Sequence, residues 1–146
     1  MRNATEVLLV DDNPADSGLT SDVIRRCYSA IRINVAADGT EAMAFLRREG
    51  KYAQVPVPEL ILLDLNLPGK DGRTVLAELK ADPLLNKTPV IIFSTSQDRK
   101  DILNSYSLGP NSYVTKPGNL PDFISAVTSI GNFWFSHAQL PVQEKR

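Results

Sequence analysis

The sequence predicts an α/β fold, a doubly wound five-stranded parallel sheet, and three observations lead to it. Short apolar runs alternate with helical patterns five times along the chain. Several of these runs are apolar without a break, which suits strands covered by helices on both faces. The chain has 146 residues, of which 42% are apolar, enough for one self-supporting core and too few for a second sizeable domain. Residues 1–146 are therefore read as a single domain, with a core over about 6–134 and a short C-terminal extension, 135–146, outside it.

The first strand is read at Glu6 to Val10, "EVLLV", stopped by Asp11, Asp12 and Asn13. Pro14 suits the first turn of a helix capped by Asn13, with Leu19, Val23, Ile24 and Cys27 at helical spacing. Cys27 is expected to be a small buried hydrophobe. The alternating "IRINV" is the second strand. A helix through Ala42, Phe45 and Leu46 follows, with Gly50 as its stop. After the proline-marked loop "KYAQVPVPE", Leu60 to Leu63 form the third strand, and Val75, Leu76 and Leu79 mark the third helix. "PVIIF" is the fourth strand, and a helix near Asp98 to Leu108 carries Ile102, Leu103 and Tyr106. The fifth strand is Ser112 to Thr115. The last helix runs from about Leu120 to Trp134 with Phe123, Ile124, Val127 and Ile130 on one side.

Composition narrows the function. Sixteen basic residues nearly balance seventeen acidic ones, so no global positive excess points to nucleic acid or an anionic membrane. The pairs Arg25 and Arg26, Arg47 and Arg48, and Lys145 and Arg146 read as solvated faces. One cysteine excludes an internal disulfide and fits a reducing compartment. No signal peptide or membrane-length apolar run is present, so the expected location is the cytoplasm, with neither membrane nor nucleic acid as partner.

In such a sheet, groups at the carboxyl ends of the strands converge where ligands bind. Asp11 and Asp12 follow the first strand and Asp64 the third, while "LPGKDG" turns the chain away and Asp71 caps the next helix. Three neighbouring carboxylates repel one another and need a positive partner. A hard divalent cation such as magnesium, with manganese as a substitute, suits oxygen ligands; one His and one Cys argue against a soft metal. Ser94 at the end of "FSTS" and Lys116 in "YVTKP" bring a hydroxyl and an ammonium to the same rim. Metal, hydroxyl and ammonium together can handle a phosphoryl group, with Asp64 as the nucleophile.

The motifs "LLVDDN", "LILLDLNLPGKDG", "PVIIFSTS" and "SYVTKP" strongly resemble those of the receiver domain of bacterial response regulators, from about Glu6 to Trp134. The resemblance implies a CheY-like, flavodoxin-like (βα)5 sheet with strand order 2-1-3-4-5. It implies Asp64 as phosphoacceptor, and magnesium held by Asp11, Asp12, Asp64 and the backbone carbonyl of Asn66. Ser94 falls at a hydroxyl switch position, Lys116 at a phosphate-contacting lysine, and Tyr113 at a switch aromatic. Asn66 and Ser96 fall where access and lifetime are modulated. Lys116-Pro117 matches a cis peptide of the family. The long loop "REGKYAQVPVPE", the "LPGKDG" turn and the ending "GNFWFSHAQLP" further resemble small regulators paired with phytochrome-type histidine kinases. A sensor histidine kinase, of phytochrome type, is thus the implied partner.

No output segment is recognisable beyond the last helix, so output is expected through a protein surface. Between Pro117 and Leu140 charges are scarce, while Phe123, Phe133, Trp134 and Phe135 accumulate. Consecutive aromatics cannot all face one way. A homodimer through the last helix and fifth strand is expected, against a monomer whose tail covers that helix. Two other functions compete. A small magnesium-dependent aspartyl-phosphate phosphatase or phosphotransferase would need a cap, and no insertion is long enough. An unphosphorylated interaction module is disfavoured by the intact set Asp11, Asp12, Asp64, Ser94 and Lys116.

Overall fold

The computed structural model describes residues 4–141. Five strands, β1 (Thr5–Val10), β2 (Ile31–Ala36), β3 (Leu60–Leu63), β4 (Val90–Ser94) and β5 (Ser112–Thr115), form one parallel sheet in the order β2-β1-β3-β4-β5. Helices α1 (Pro14–Cys27), α2 (Gly39–Arg47), α3 (Gly72–Ala81), α4 (Arg99–Tyr106) and α5 (Leu120–Gly131) connect and cover it.

The strand period of two sorts alternate side chains to opposite faces. Leu8, Val10, Ile61, Leu63, Val90 and Ile92 meet Ala42, Phe45 and Leu46 of α2 and Val75, Leu76 and Leu79 of α3. Val7, Leu9, Leu60, Leu62, Ile91 and Phe93 meet Val23 and Ile24 of α1 and Phe123, Val127 and Ile130 of α5. Both faces of β3 and β4 are therefore buried, which is why those strands read as unbroken apolar runs. Each helix begins on a side chain that accepts backbone N–H bonds: Asn13, Asp38, Asp71, Asp98 and Asn119.

Several local expectations are corrected. Cys27 is exposed because it ends α1, where the buried stripe is Ser17, Thr20, Ser21, Val23 and Ile24. α2 stops at Arg48, which adopts the left-handed conformation at φ 56°, rather than at Gly50. On α4, Leu103 and Tyr106 point outward; Ser105 is the buried residue, its hydroxyl donating to the Asp101 carbonyl. Ile124 is partly exposed, since Phe123, Val127 and Ile130 already complete the inward stripe of α5. After Gly131, where a Cβ would lie 2.8 Å from the Tyr28 ring, the chain widens into a π-helical turn at Asn132–His137. The extension is not wholly outside the core: Phe135 and Leu140, like Trp134 just before it, pack against the α1/α5 cluster. Lys145 and Arg146 lie outside the described residues.

Gly72 fixes how β3 hands over to α3. A Cβ there would run into the Asp64 carbonyl oxygen and lie 2.6 Å from Leu65 Cα, so backbone would have to move. Gly18, by contrast, is an exposed residue within α1 with open space around it. Gly72→Ala should therefore lower unfolding free energy by about 1–3 kcal/mol, and Gly18→Ala should raise it by about 0.5–1 kcal/mol. Urea denaturation of the two variants checks both signs.

Candidate functional site

The site is assembled by sheet register. Val10 pairs with Leu63, so the next residues, Asp11 and Asp64, leave the sheet side by side. The ladder holds them there: Asp11 N–H donates to the Ala36 carbonyl at 3.0 Å and Asp64 N–H to that of Val10 at 2.9 Å. The strand order reverses between β1 and β3, which is where α/β sheets open a crevice. On the other side, Ser94 pairs with Thr115, and Lys116 N–H donates to the Ser94 carbonyl at 2.7 Å.

Lys116 then reaches across the crevice. Its Nζ donates to Asp11 Oδ2 at 2.7 Å, Asp64 Oδ2 at 3.0 Å and Asp16 Oδ2 at 3.1 Å. The Lys116 and Asp11 side chains are each 2% exposed, and that of Asp64 is 9% exposed. Burial alone would depress the Lys116 pKa, but the bonds it donates to Asp11 and Asp64 outweigh it and hold the ammonium above the ordinary lysine range. Asp11 goes the other way: burial raises its pKa, and the bonds from Lys116 and the Asn13 N–H only partly offset that.

One ammonium cannot neutralise these acids. Asp11, Asp12 and Asp64 offer oxygens all within 4.8 Å of one another, with Asp12 exposed at the mouth and the other two buried. An all-oxygen set of this kind suits a hard divalent cation that retains some water, so the residues present fit magnesium or manganese. Asn66 is exposed beside them, and its N–H donates to Asp64 Oδ1 at 3.2 Å. Ser94 Oγ is buried and has no hydrogen-bond partner among the described residues. A buried hydroxyl without a partner is costly unless a ligand completes it.

The comparisons with known proteins agree with this geometry. The response regulator receiver domain family matches residues 7–128. Response regulator Rcp1 of Synechocystis sp. is 45% identical over 135 residues, 92% of this chain and 92% of its own. A structure of the phosphorylated cyanobacterial phytochrome response regulator RcpA has a TM-score of 0.92 at 47% identity, covering 95% of this chain and 99% of that one. A Mn(2+)-bound form of Rcp1 has a TM-score of 0.91 at 44% identity, covering 94% and 99%.

The chain belongs to the response regulator receiver family.

This receiver is close to the cyanobacterial phytochrome response regulators, and its fold and acidic cluster are those of two-component signalling. The structure brings together Asp11, Asp12, Asp64 and Lys116, with the Asn66 N–H on Asp64 and Ser94 joined to Lys116 through the backbone. Tyr113 is half-buried beside the α2/α3 core cluster, and its hydroxyl donates to the Ser96 carbonyl at 2.9 Å. Ser96 Oγ in turn donates to Asp101 Oδ2 at 2.9 Å. Two expectations fail. The Lys116–Pro117 bond is trans, the lower-energy isomer, and with it the Lys116 ammonium already reaches its carboxylates. Phe123 is core rather than interface: it is buried with its ring centroid 5.3 Å from that of Phe93.

Sequence reasoning missed three residues. Asp16 lies in the first turn of α1, just past the Asn13 cap, and reaches Lys116 Nζ at 3.1 Å. Arg73 and Asp101 form a 3.3 Å ion pair from α3 to α4 over the rim, with Arg73 also 3.1 Å from Asp71. That pair joins the first turns of two helices distant in sequence and leaves no local pattern.

Lys116→Met removes the counter-ion of two buried carboxylates, and breaking such a pair costs about 3–5 kcal/mol. The loss should be largest at pH 7. A carboxyl whose folded pKa lies above its unfolded value penalises folding when ionised, and the penalty is relieved as pH falls through the folded pKa. Acidification below pH 7 should therefore narrow the gap as the raised Asp11 carboxyl takes up a proton, and added magnesium at pH 7 should narrow it too. Thermal unfolding of both proteins across that range, with and without magnesium, provides the measurement.

Proposed function

We propose that Asp64 is the phosphoacceptor of this receiver and that its kinase is of phytochrome type. The observation that carries the site assignment is the shared ammonium: Lys116 bonds Asp64 and Asp11 at once in a buried crevice, beside the unpartnered Ser94 hydroxyl. Asp64 Oδ attacks the phosphorus of a kinase phosphohistidine; the P–N bond breaks, its electron pair stays on the imidazole, and an acyl phosphate forms. Lys116 Nζ and Ser94 Oγ–H then donate to the phosphoryl oxygens. Asp11, Asp12, Asp64 and the Asn66 carbonyl are the residues that would hold magnesium or manganese, which when bound supplies positive charge against the repulsion between carboxylates and phosphoryl group. Hydrolysis is a separate step: water attacks phosphorus, the P–O bond to Asp64 breaks with its electron pair on the carboxylate, and inorganic phosphate leaves with the water's oxygen. Asn66, whose N–H donates to Asp64, and Ser96, two residues beyond Ser94, govern the approach of that water.

The readout runs through Ser94 and Tyr113. Drawing the Ser94 hydroxyl toward a phosphoryl oxygen shifts the β4–α4 loop, and that loop accepts the Tyr113 hydroxyl at Ser96. This is a population shift between two arrangements of the α4–β5–α5 side. Homodimerisation through α5 and β5 is the accompanying output. Phe133 is 54% exposed just past the end of α5 and Leu120 57% exposed at its start, with few charges near them in sequence. Trp134 packs edge-to-face on Phe133 at 5.2 Å, and Phe135 turns inward onto Tyr28 at 5.5 Å, so Phe133 is the aromatic left to meet a partner.

Incubation with magnesium and acetyl phosphate should add one phosphoryl mass to the wild type and none to Asp64→Asn by intact-mass spectrometry. A stable adduct on the variant would refute the assignment. Sedimentation equilibrium should show a dimer that Phe133→Ala weakens by about tenfold in Kd; a wild type that stays monomeric with and without a phosphoryl analogue would remove the dimer.

A further inference from the structure

We propose that Asp16 is a positioning residue for phosphoryl uptake: it occupies the third hydrogen of the Lys116 ammonium and is the partner that an incoming phosphoryl group displaces. This rests on the reading of Asp64 as acceptor. A lysine ammonium has three N–H donors and no more. In this receiver Asp11, Asp64 and Asp16 take one each, at 2.7, 3.0 and 3.1 Å. Lys116 can therefore give a hydrogen bond to a phosphoryl oxygen only by releasing a carboxylate.

The three carboxylates are not equally free to go. Asp11 is buried and is also anchored by the Asn13 N–H at 2.9 Å. Asp64 is the residue that would carry the new group. Asp16 lies at the rim with 27% of its side chain exposed, in the first turn of α1, where its own N–H is fixed on Asn13 Oδ1 at 3.1 Å. Water can replace the ammonium around the Asp16 carboxylate, whereas it cannot reach Asp11. Asp16 is thus the exchangeable partner. While the pocket is empty of phosphoryl, it keeps the Lys116 side chain extended between β1 and β3, and its charge opposes a second anion until it is released.

Beryllofluoride, which stands in for the phosphoryl group, tests this by calorimetric titration at saturating magnesium. Asp16→Asn keeps the side-chain shape and removes the charge, so it should bind beryllofluoride roughly three- to tenfold more tightly than wild type. Asp16→Glu keeps the charge and should stay within about twofold of wild type. The gain in Asp16→Asn should shrink at high ionic strength, as an effect of charge at a partly exposed site must. An Asp16→Asn affinity equal to or weaker than wild type, or an Asp16→Glu variant that behaves like Asp16→Asn, would overturn the proposal. Asp64→Asn separates the two readings: loss of beryllofluoride binding there keeps the acceptor assignment whatever Asp16 does, and persistent binding removes both.

Discussion

The interaction on which the rest depends is the ammonium of Lys116 held between the carboxylates that end β1 and β3. Buried like charges cannot share a crevice without a counter-ion, and an isolated buried ammonium is no better off. Each therefore requires the other, and the requirement fixes long-range structure. The lysine comes from the edge strand β5, so β4 and β5 must lie in register with β1 and β3 for its side chain to arrive. Gly72 belongs to the same constraint, because it lets α3 start directly against the backbone that carries Asp64.

That arrangement leaves the site incomplete in a useful way. Charge remains in excess, with Asp12 at the mouth and Asp16 at the rim, and the Ser94 hydroxyl has no partner among the described residues. A divalent cation would answer the first deficit and a phosphoryl group the second, which is the chemistry proposed for this site. Two residues beyond Ser94, a separate set of polar contacts links Ser96 to Tyr113 and to Asp101, which is paired with Arg73 of α3. The β4–α4 loop is thus held from both sides by polar contacts rather than by packed core, an arrangement that suits a segment required to move.

Much of this was legible in the sequence because the relevant signals are local. Unbroken apolar runs such as "LILL" mark strands buried on both faces, and the residue that ends each run is placed by the strand itself. Asp11, Asp64, Ser94 and Lys116 could be assigned to one rim for that reason. What was not legible depends on tertiary competition. α4 carries apolar residues at helical spacing, yet it lies shallowly on the sheet and buries Ser105 while Leu103 faces out. Cys27 has a helical spacing from Val23 but falls at the helix end, where the inward stripe has run out. In the aromatic cluster, composition could show that Phe133, Trp134 and Phe135 diverge, while only the position of Tyr28 decides that Phe135 is the one drawn in.

The central claim is that Lys116 transfers its hydrogen bonds from carboxylates to a phosphoryl group attached to Asp64. A crystal structure with magnesium and beryllofluoride tests it most directly. The account predicts beryllium bonded to an Asp64 carboxylate oxygen, with Lys116 Nζ and Ser94 Oγ each within hydrogen-bond distance of a fluorine. Beryllofluoride seated away from Asp64, or bound there with Lys116 and Ser94 both turned elsewhere, would contradict it.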